Sequence, residues 1–295
     1  MNKRVEADLL TYSQGGFPSL AVVAKRYQVK GGWLSSVGPG VARTYMPFSE
    51  AGLIDALAGI STGDVTPLEF ASVFGGLGYS RLVRAAAYPH FSSCLPMSDK
   101  WKAAYAEYRN YRDAVIAAAR DLPDGDPLDW LMAQSRTVAL CLNFSGLLAR
   151  GDEYEIQEAL EEVTRGPYAT RDRIVSLPVK SWRGALRKRK APSVIIRRPL
   201  CDLITENIAG VRRWMMTNPF GSHAESFFLC QATIEAVYWQ LADKMEAKMV
   251  RRCVGCRRFF VARDKRQTYC PPLPGSTRSR CSSRLNVENF RNRQG

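Results

Sequence analysis

The chain has 295 residues, of which 46% are hydrophobic, and its formal net charge is +14. This composition can build a sizeable core and excludes a wholly disordered chain. No stretch is apolar over the ~18 or more residues that a membrane-spanning helix needs, and the first residues lack the apolar segment of a secretory signal. We therefore expect a cytoplasmic protein without a membrane partner, in which clustered cysteines indicate a metal rather than disulfides.

The positive charge is concentrated in two segments. Residues 251–295 contain twelve Lys and Arg against two acidic residues, and residues 165–198 contain eleven against one, so each segment carries +10. The rest of the chain sums to −6. Such asymmetry indicates a polyanionic partner, most often nucleic acid. The alternative is a solvated surface that only aids solubility, and it is weaker for residues 251–295 because they also carry a cysteine cluster.

The first half of the chain predicts turns followed by helices. About 50 residues rich in Gly, Pro and Ser predict irregular structure with short strands. Ser49 is expected to cap a short helix, and Thr66 followed by Pro67 to begin a second. Longer helices are predicted over residues 99–120, 127–149 and 153–165, the last capped by Asp152.

The second basic segment interrupts this helical series. β-rich stretches at 174–179 and 194–196 flank the basic run 187–190, which predicts a β-hairpin with a charged tip or a mobile loop. A helix over 200–215 is expected to follow, and then a long helix over 222–250. The predicted fold class is therefore mainly α, with a short β-hairpin insertion.

These elements predict two domains. Residues 1–250 are expected to form a mostly helical domain that senses a signal or mediates assembly. Residues 251–295 contain too few large apolar side chains to build a core alone, so a structural metal is expected to supply the missing stability.

Four of the eight cysteines have the spacing of a metal site. Cys253 and Cys256 form a CxxC knuckle with Gly255 in its turn, and Cys270 and Cys281 follow after gaps of thirteen and ten residues. Two thiolates in such a knuckle can reach one tetrahedral ion at about 2.3 Å each. Four thiolates leave no open position for a catalytic water, so we predict a structural Zn²⁺. An iron–sulfur cluster or redox-active thiols are the alternatives.

The residues between these ligands predict a hairpin and a helix. Phe259–Val261 and Thr268–Tyr269 flank a turn-prone segment, which indicates a β-hairpin that returns Cys270 to the knuckle. A proline-rich loop is expected next, and Cys281 near the start of a basic helix over 282–293. A hairpin and a helix on one zinc ion make a treble-clef-like zinc finger.

Basic side chains surround the four ligands, and eleven of the twelve are Arg. Arginine makes forked contacts with phosphate and with guanine edges, so we predict binding to nucleic acid, with double-stranded DNA as the expected partner. The candidate contact residues are Arg257, Arg258, Arg263, Lys265, Arg266, Arg278, Arg280, Arg284, Arg291 and Arg293. One alternative is an adaptor that binds protein. Another is an RNA-binding module, in which Phe259, Phe260 and Tyr269 would stack on unpaired bases.

No catalytic motif accompanies this module in the sequence. The chain has two histidines and lacks HExxH, GxSxG and P-loop motifs. Gly76 and Gly78 lack the third glycine of a dinucleotide-binding fingerprint. We therefore expect a protein that is not an enzyme. A homo-oligomer and a small-molecule or protein signal on residues 1–250 stay open.

The end of the chain resembles a known family. The stretches Cys253-Val-Gly-Cys256-Arg-Arg-Phe-Phe, Arg266-Gln-Thr-Tyr-Cys270 and Cys281-Ser-Ser-Arg284 are similar to bacterial CGNR-type zinc fingers that follow an ABATE-like helical domain. The resemblance covers about 45 residues, with Ser282-Ser283-Arg284 where the family has Gly-Asn-Arg. It implies a zinc ion on the four cysteines, a role for Arg284 in the finger, and transcription regulation through DNA binding.

Overall fold

The computed structural model describes residues 21–80, 123–165, 179–187, 190–208, 211–217, 224–230, 232–272, 276–284, 287 and 291. The helix predicted over 99–120 lies outside these residues. The described part of the chain is mainly helical and contains four small sheets, all of antiparallel strands. This agrees with the predicted mainly α class. A helix long and apolar enough to span a bilayer does not occur in that part.

The region predicted as turns and short strands begins with four strands. They are β1 (Ala21–Ala24), β2 (Tyr27–Lys30), β3 (Trp33–Ser36) and β4 (Val41–Tyr45). Strand β1 pairs with β4, and β2 pairs with β3, which also pairs with the short β5 (Asp126–Pro127). Gly31 and Gly32 join β2 to β3 with positive φ values of 57° and 78°. Positive φ at both residues is typical of two-residue hairpin turns, whose twist matches that of the flanking strands.

Seven helices of eight or more residues lie between residues 53 and 246 of the described chain. They are α1 (Leu53–Ser61), α2 (Pro67–Phe74), α3 (Leu128–Arg150), α4 (Glu153–Arg165), α5 (Val179–Arg187), α6 (Pro192–Ile208) and α7 (Thr233–Glu246). Thr66 and Glu69 form a capping box at the start of α2, and Asp152 accepts backbone N–H groups at the start of α4. The predicted starts of α2 and α4 are confirmed. The predicted cap of α1 is wrong, because Ser49 lies in a turn and Gly52 is the N-cap.

The β-hairpin predicted around the second basic segment is wrong in its described part. Residues 179–187 and 192–208 form α5 and α6 instead, because Trp182 on α5 and Ile196, Leu200 and Leu203 on α6 bury one face at helical spacing. That burial outweighs the β propensity of a short apolar run.

A β-hairpin occurs further along the chain. Strand β6 (Arg212–Thr217) pairs with β7 (Ala224–Leu229). The helix predicted over 200–215 therefore ends at residue 208, and the long helix predicted from residue 222 begins at residue 233. The sequence between the strands contains Pro219, which cannot continue a helix.

The glycines weighed as a nucleotide fingerprint surround a buried carboxylate. Asp126 is fully buried, and its side chain accepts the backbone N–H groups of Leu77, Gly78 and Tyr79 at 2.5, 2.9 and 2.7 Å. A Cβ atom on Gly76 would lie 2.9 Å from this carboxylate. Gly76 thus allows the backbone to approach Asp126, and Gly78 allows it to approach Ala232, so the role of both glycines here is structural.

Candidate metal centre

The four cysteines predicted as ligands lie together, with their Sγ atoms all within 4.8 Å of one another. The Sγ–Sγ distance is 3.8 Å from Cys253 to Cys270 and 3.4 Å from Cys270 to Cys281. Four thiolates at about 2.3 Å from one tetrahedral ion lie about 3.8 Å apart. The spacing therefore fits a single metal ion. A cubane cluster holds each thiolate on a separate iron and needs wider spacing.

Two short strands position the knuckle. Strand β8 (Val250–Arg252) pairs with β9 (Phe259–Val261), and the CxxC sequence forms the turn between them. Cys253 N–H donates to Arg258 C=O at 2.8 Å, and Arg257 N–H donates to Cys253 C=O at 2.9 Å. The predicted hairpin over residues 257–269 is therefore wrong in its pairing. Residue 268 instead accepts an N–H from Val254 at 3.0 Å, which places Cys270 beside the knuckle.

Backbone N–H groups stabilise the thiolate of Cys253. Burial alone would raise its pKa, but the backbone N–H groups of Cys256, Cys270 and Gly255 donate to the sulfur and lower the pKa to about 7. Burial raises the pKa of Cys281 to about 11 and raises the pKa of Cys270 as well. Neighbouring thiols add to the shift of Cys270, whereas the Cys270 thiol lowers the pKa of Cys281 and Cys253 and Cys256 raise it. Of these three thiols, only Cys253 is shifted towards its thiolate form. A cation is needed to balance four thiolates.

The last ligand approaches the knuckle closely. A Cβ atom on Gly255 would lie 2.8 Å from the Cβ of Cys281, so this position excludes a side chain. Residues 280–284 are helical with Cys281 in the first turn. Positions 287 and 291 are helical too, so the predicted final helix agrees with the described residues.

We call the described residues from 250 onward the cysteine module and those up to residue 246 the body. The cysteine module has a small core of its own, made of Cys253, Phe260 and Ala262 with half-buried neighbours such as Tyr269. Val250 instead belongs to the main core of the body. The domain boundary predicted at residue 250 stays a prediction.

The cysteine module packs tightly against α3. The ring of Phe259 packs on the main core, and a Cβ atom on Gly146 of α3 would collide with this ring. Arg252 pairs with Glu155 of α4 at 2.8 Å, in a half-buried contact. The absence of a side chain at Gly146 thus creates the space into which the module docks.

Polar contacts with α1 and its following loop complete this interface. The N–H of Val261 donates to Asp55 Oδ1 at 3.0 Å, and Arg258 pairs with Asp64. Burial raises the pKa of Asp55 to about 7, although the Val261 N–H and Arg263 act in the opposite direction. Asp55 has no sequence signal that links it to this interface, since it lies far from the cysteines in sequence.

Nine of the ten predicted nucleic-acid contacts lie in the described chain, and all nine are exposed. Arg293 lies outside it. Arg266, Arg278 and Arg291 line a groove of about 1170 Å³ together with Tyr269, which we call the outer groove. Arg258, Arg263 and Arg280 instead line a cavity of about 680 Å³ between body and module, which we call the interface cavity. Arg257, Lys265 and Arg284 are the other exposed members of the predicted set.

The aromatic residues considered for base stacking differ in their surroundings. Phe260 is buried, and Phe259 packs on the body. Tyr269 is half-buried and lines the outer groove. Tyr269 therefore faces the outer groove, whereas Phe259 and Phe260 lie at the interface with the body and line the interface cavity.

Comparisons of this chain with known protein families, with curated proteins and with solved structures found no match. The similarity to CGNR-type zinc fingers therefore stays a prediction.

Proposed function

We propose that the cysteine module is a structural zinc finger that binds double-stranded DNA, and that the protein regulates transcription. The observation that carries this proposal is the outer groove, in which Arg266, Arg278 and Arg291 lie beside the metal ligand Cys270. Zinc suits the site because four thiolates in tetrahedral spacing form a closed structural site for this ion.

The lining of the outer groove suits phosphate groups. Three guanidinium groups supply charged, forked donors, and hydroxyl groups of residues such as Thr268, Ser279 and Ser282 supply further donors. The described residues that line the groove include no Asp or Glu. A polyanion would therefore meet attractive charges along its length.

The metal would hold both walls of this groove. One wall contains Tyr269 and Cys270, and the other contains Ser282 and Ser283, which follow Cys281. With both cysteines on one ion, the walls keep a fixed separation. Zinc binding and DNA binding are therefore expected to disappear together.

DNA binding is tested by titrating labelled duplex DNA with the zinc-loaded protein at several salt concentrations. Replacing Arg266, Arg278 and Arg291 by Gln should lower the affinity about tenfold or more, because each arginine that binds a phosphate releases counterions. The log–log salt slope should become shallower by about 0.9 for each phosphate that is no longer neutralised.

A matched control removes the same charge from the body. Lys25, Arg26 and Lys30 are exposed in the strand region, and their replacement by Gln should change the affinity by less than about twofold. Equal reductions in both triple variants would show that net charge alone drives binding and would contradict the proposal. Competition by single-stranded RNA that exceeds competition by duplex DNA would replace DNA with RNA as the partner.

A further inference from the structure

A second cavity, distinct from the outer groove, lies where the body meets the cysteine module. This interface cavity has a volume of about 680 Å³ and is lined from both sides. Residues of α1, α2 and α3 form one side, and residues around the cysteine ligands form the other. Its volume lies in the range of small-molecule sites, which often occur at such boundaries.

Most acidic groups of the interface cavity already have cationic partners. Glu50 pairs with Arg43 at 3.0 Å, and Asp64 pairs with Arg258. These two pairs largely cancel their own charges. The other ionisable residues of the lining are Arg263, Arg280, Asp55 and three of the cysteine ligands, Cys256, Cys270 and Cys281.

Two arginines supply cationic hydrogen-bond donors to the cavity. Arg263 and Arg280 line it, and within the described residues their guanidinium groups make no hydrogen bond or close ion pair, although Arg263 interacts electrostatically with Asp55 and Arg280 with Glu69. Asp55 opposes them only weakly, because its carboxyl group is buried and its pKa is raised to about 7. When protonated, this group can donate a hydrogen bond to a bound oxyanion.

Apolar side chains form much of the remaining lining, beside polar groups such as Thr62 and Asn143. The accessible apolar surface belongs to half-buried residues such as Val73, Ala139 and Phe259, because Phe74 and Leu142 are almost fully buried. A free inorganic ion would leave these surfaces in contact with water. A molecule with an apolar part would cover them, and burial of apolar surface would add to its affinity.

We propose that the interface cavity binds a small organic anion, whose phosphate or carboxylate group is held by Arg263 and Arg280 and whose apolar part packs against Val73, Ala139 and Phe259. The site goes beyond the proposed DNA contact, because none of these residues lines the outer groove. Since the body and the module both contribute residues to the site, the bound molecule also stabilises the contact between them.

Calorimetric titration of the zinc-loaded full chain tests this site with three probes: phenyl phosphate, benzoate and inorganic phosphate. We expect phenyl phosphate or benzoate to bind, and inorganic phosphate to bind at least about fivefold more weakly because it lacks an apolar part. Comparing phenyl phosphate with benzoate identifies which oxyanion the arginines prefer.

Three variants locate the binding. Replacing Arg263 and Arg280 by Gln should weaken the better probe about tenfold or more, since both guanidinium groups that hold the oxyanion are removed. Ala139→Leu should weaken it similarly without changing charge, because Ala139 lines the cavity and a larger side chain fills it. The matched control replaces Arg266 and Arg278 of the outer groove by Gln. Its affinity for the same probe should stay within about twofold of the wild-type affinity.

Failure of the wild-type chain to bind either organic probe would overturn the proposal. An equal reduction in the outer-groove control would overturn it too, as would inorganic phosphate binding as tightly as phenyl phosphate. DNA binding is measured separately, so a chain that binds DNA but neither probe refutes the cavity and leaves the proposed function standing. A chain that binds a probe but does not bind DNA supports the cavity site and refutes the proposed function.

Discussion

The body and the cysteine module are stabilised by different forces. The body buries large side chains such as Phe70, Trp182 and Tyr238 in one extended core, and burial of apolar surface stabilises it directly. The module buries only Cys253, Phe260 and Ala262 in a core of its own. We therefore expect its fold to depend on a bound metal ion and on its contact with α3. The predictions that follow separate these two dependences.

Metal removal should have the largest effect. Chelation, or Cys270→Ser, should unfold the module and leave the body folded, since structural zinc sites contribute roughly 10–16 kcal/mol in small zinc-dependent folds. Hydrogen exchange followed by mass spectrometry checks this. Backbone amides of residues 250–284 should lose protection, while those of α3 keep it. Cys201→Ser, at an exposed cysteine, is the control. It should change neither the protection of the module nor that of α3. Retention of protection in the chelated module would mean that docking alone folds it.

Docking on α3 is tested by the same substitution at two glycines. Gly146→Ala introduces a Cβ atom that collides with Phe259, whereas a Cβ atom at Gly184 on α5 would meet no heavy atom within 4 Å. We expect Gly146→Ala to lower the free energy of unfolding by about 1–3 kcal/mol through overpacking. Gly184→Ala should raise it by up to about 1 kcal/mol through helix propensity. Chemical denaturation measures both, and the same sign in both variants would contradict the docking geometry.

The buried carboxyl group of Asp55 at this interface should make stability depend on pH. Its folded-state pKa lies near 7, above the ordinary carboxyl value of about 4. Ionisation therefore costs stability as the pH rises through that interval, and the cost is absent below about pH 4. Asp55→Asn keeps an acceptor for Val261 N–H. It should stabilise the protein by about 1 kcal/mol at pH 8, less than the full shift implies because the residue as a whole is only half-buried. The gain over wild type, measured by denaturation at each pH, should shrink towards pH 5. A gain that stays constant would argue against a raised pKa.

The smallest expected effect is a change in metal affinity from a substitution in the knuckle. Arg257 has φ of +64°, a left-handed conformation that costs a non-glycine residue about 1 kcal/mol. Arg257→Gly should therefore tighten metal binding a few-fold in a chelator competition. Arg257→Ala removes the same charge but keeps the strain, so it should not tighten binding. If both variants bind the metal with equal affinity, the lost charge of Arg257, and not relief of backbone strain, would account for any change from the wild-type affinity.

The proximity of the four cysteines could be predicted from the sequence because its signal is local. A CxxC knuckle and two further cysteines need only a short chain to meet, and residues 253–281 contain all four. The strand pairing around the knuckle was missed because α7 was expected to run to residue 250. The helix ends instead near Lys248, whose φ of +55° reverses the chain. A lysine in this conformation gives no sequence signal.

Longer-range features could not be predicted. The run Val194–Ile196 has high β propensity, and only its packing on neighbouring helices decides that it is helical. The interface cavity combines Arg43, Asp55 and Arg263, which lie far apart in the sequence. No pattern in one segment could indicate their proximity.

The short connection between α7 and β8 has a mechanical consequence. Only Ala247, Lys248 and Met249 separate the helix from the first strand of the cysteine module, and Phe259 and Arg252 anchor the module to α3 and α4. A module on a long tether can rotate independently, whereas these contacts predict that this module moves together with the helices behind it. If the proposed DNA binding holds and two copies of the chain bind one duplex, the helical scaffold will set the distance between the two bound DNA segments.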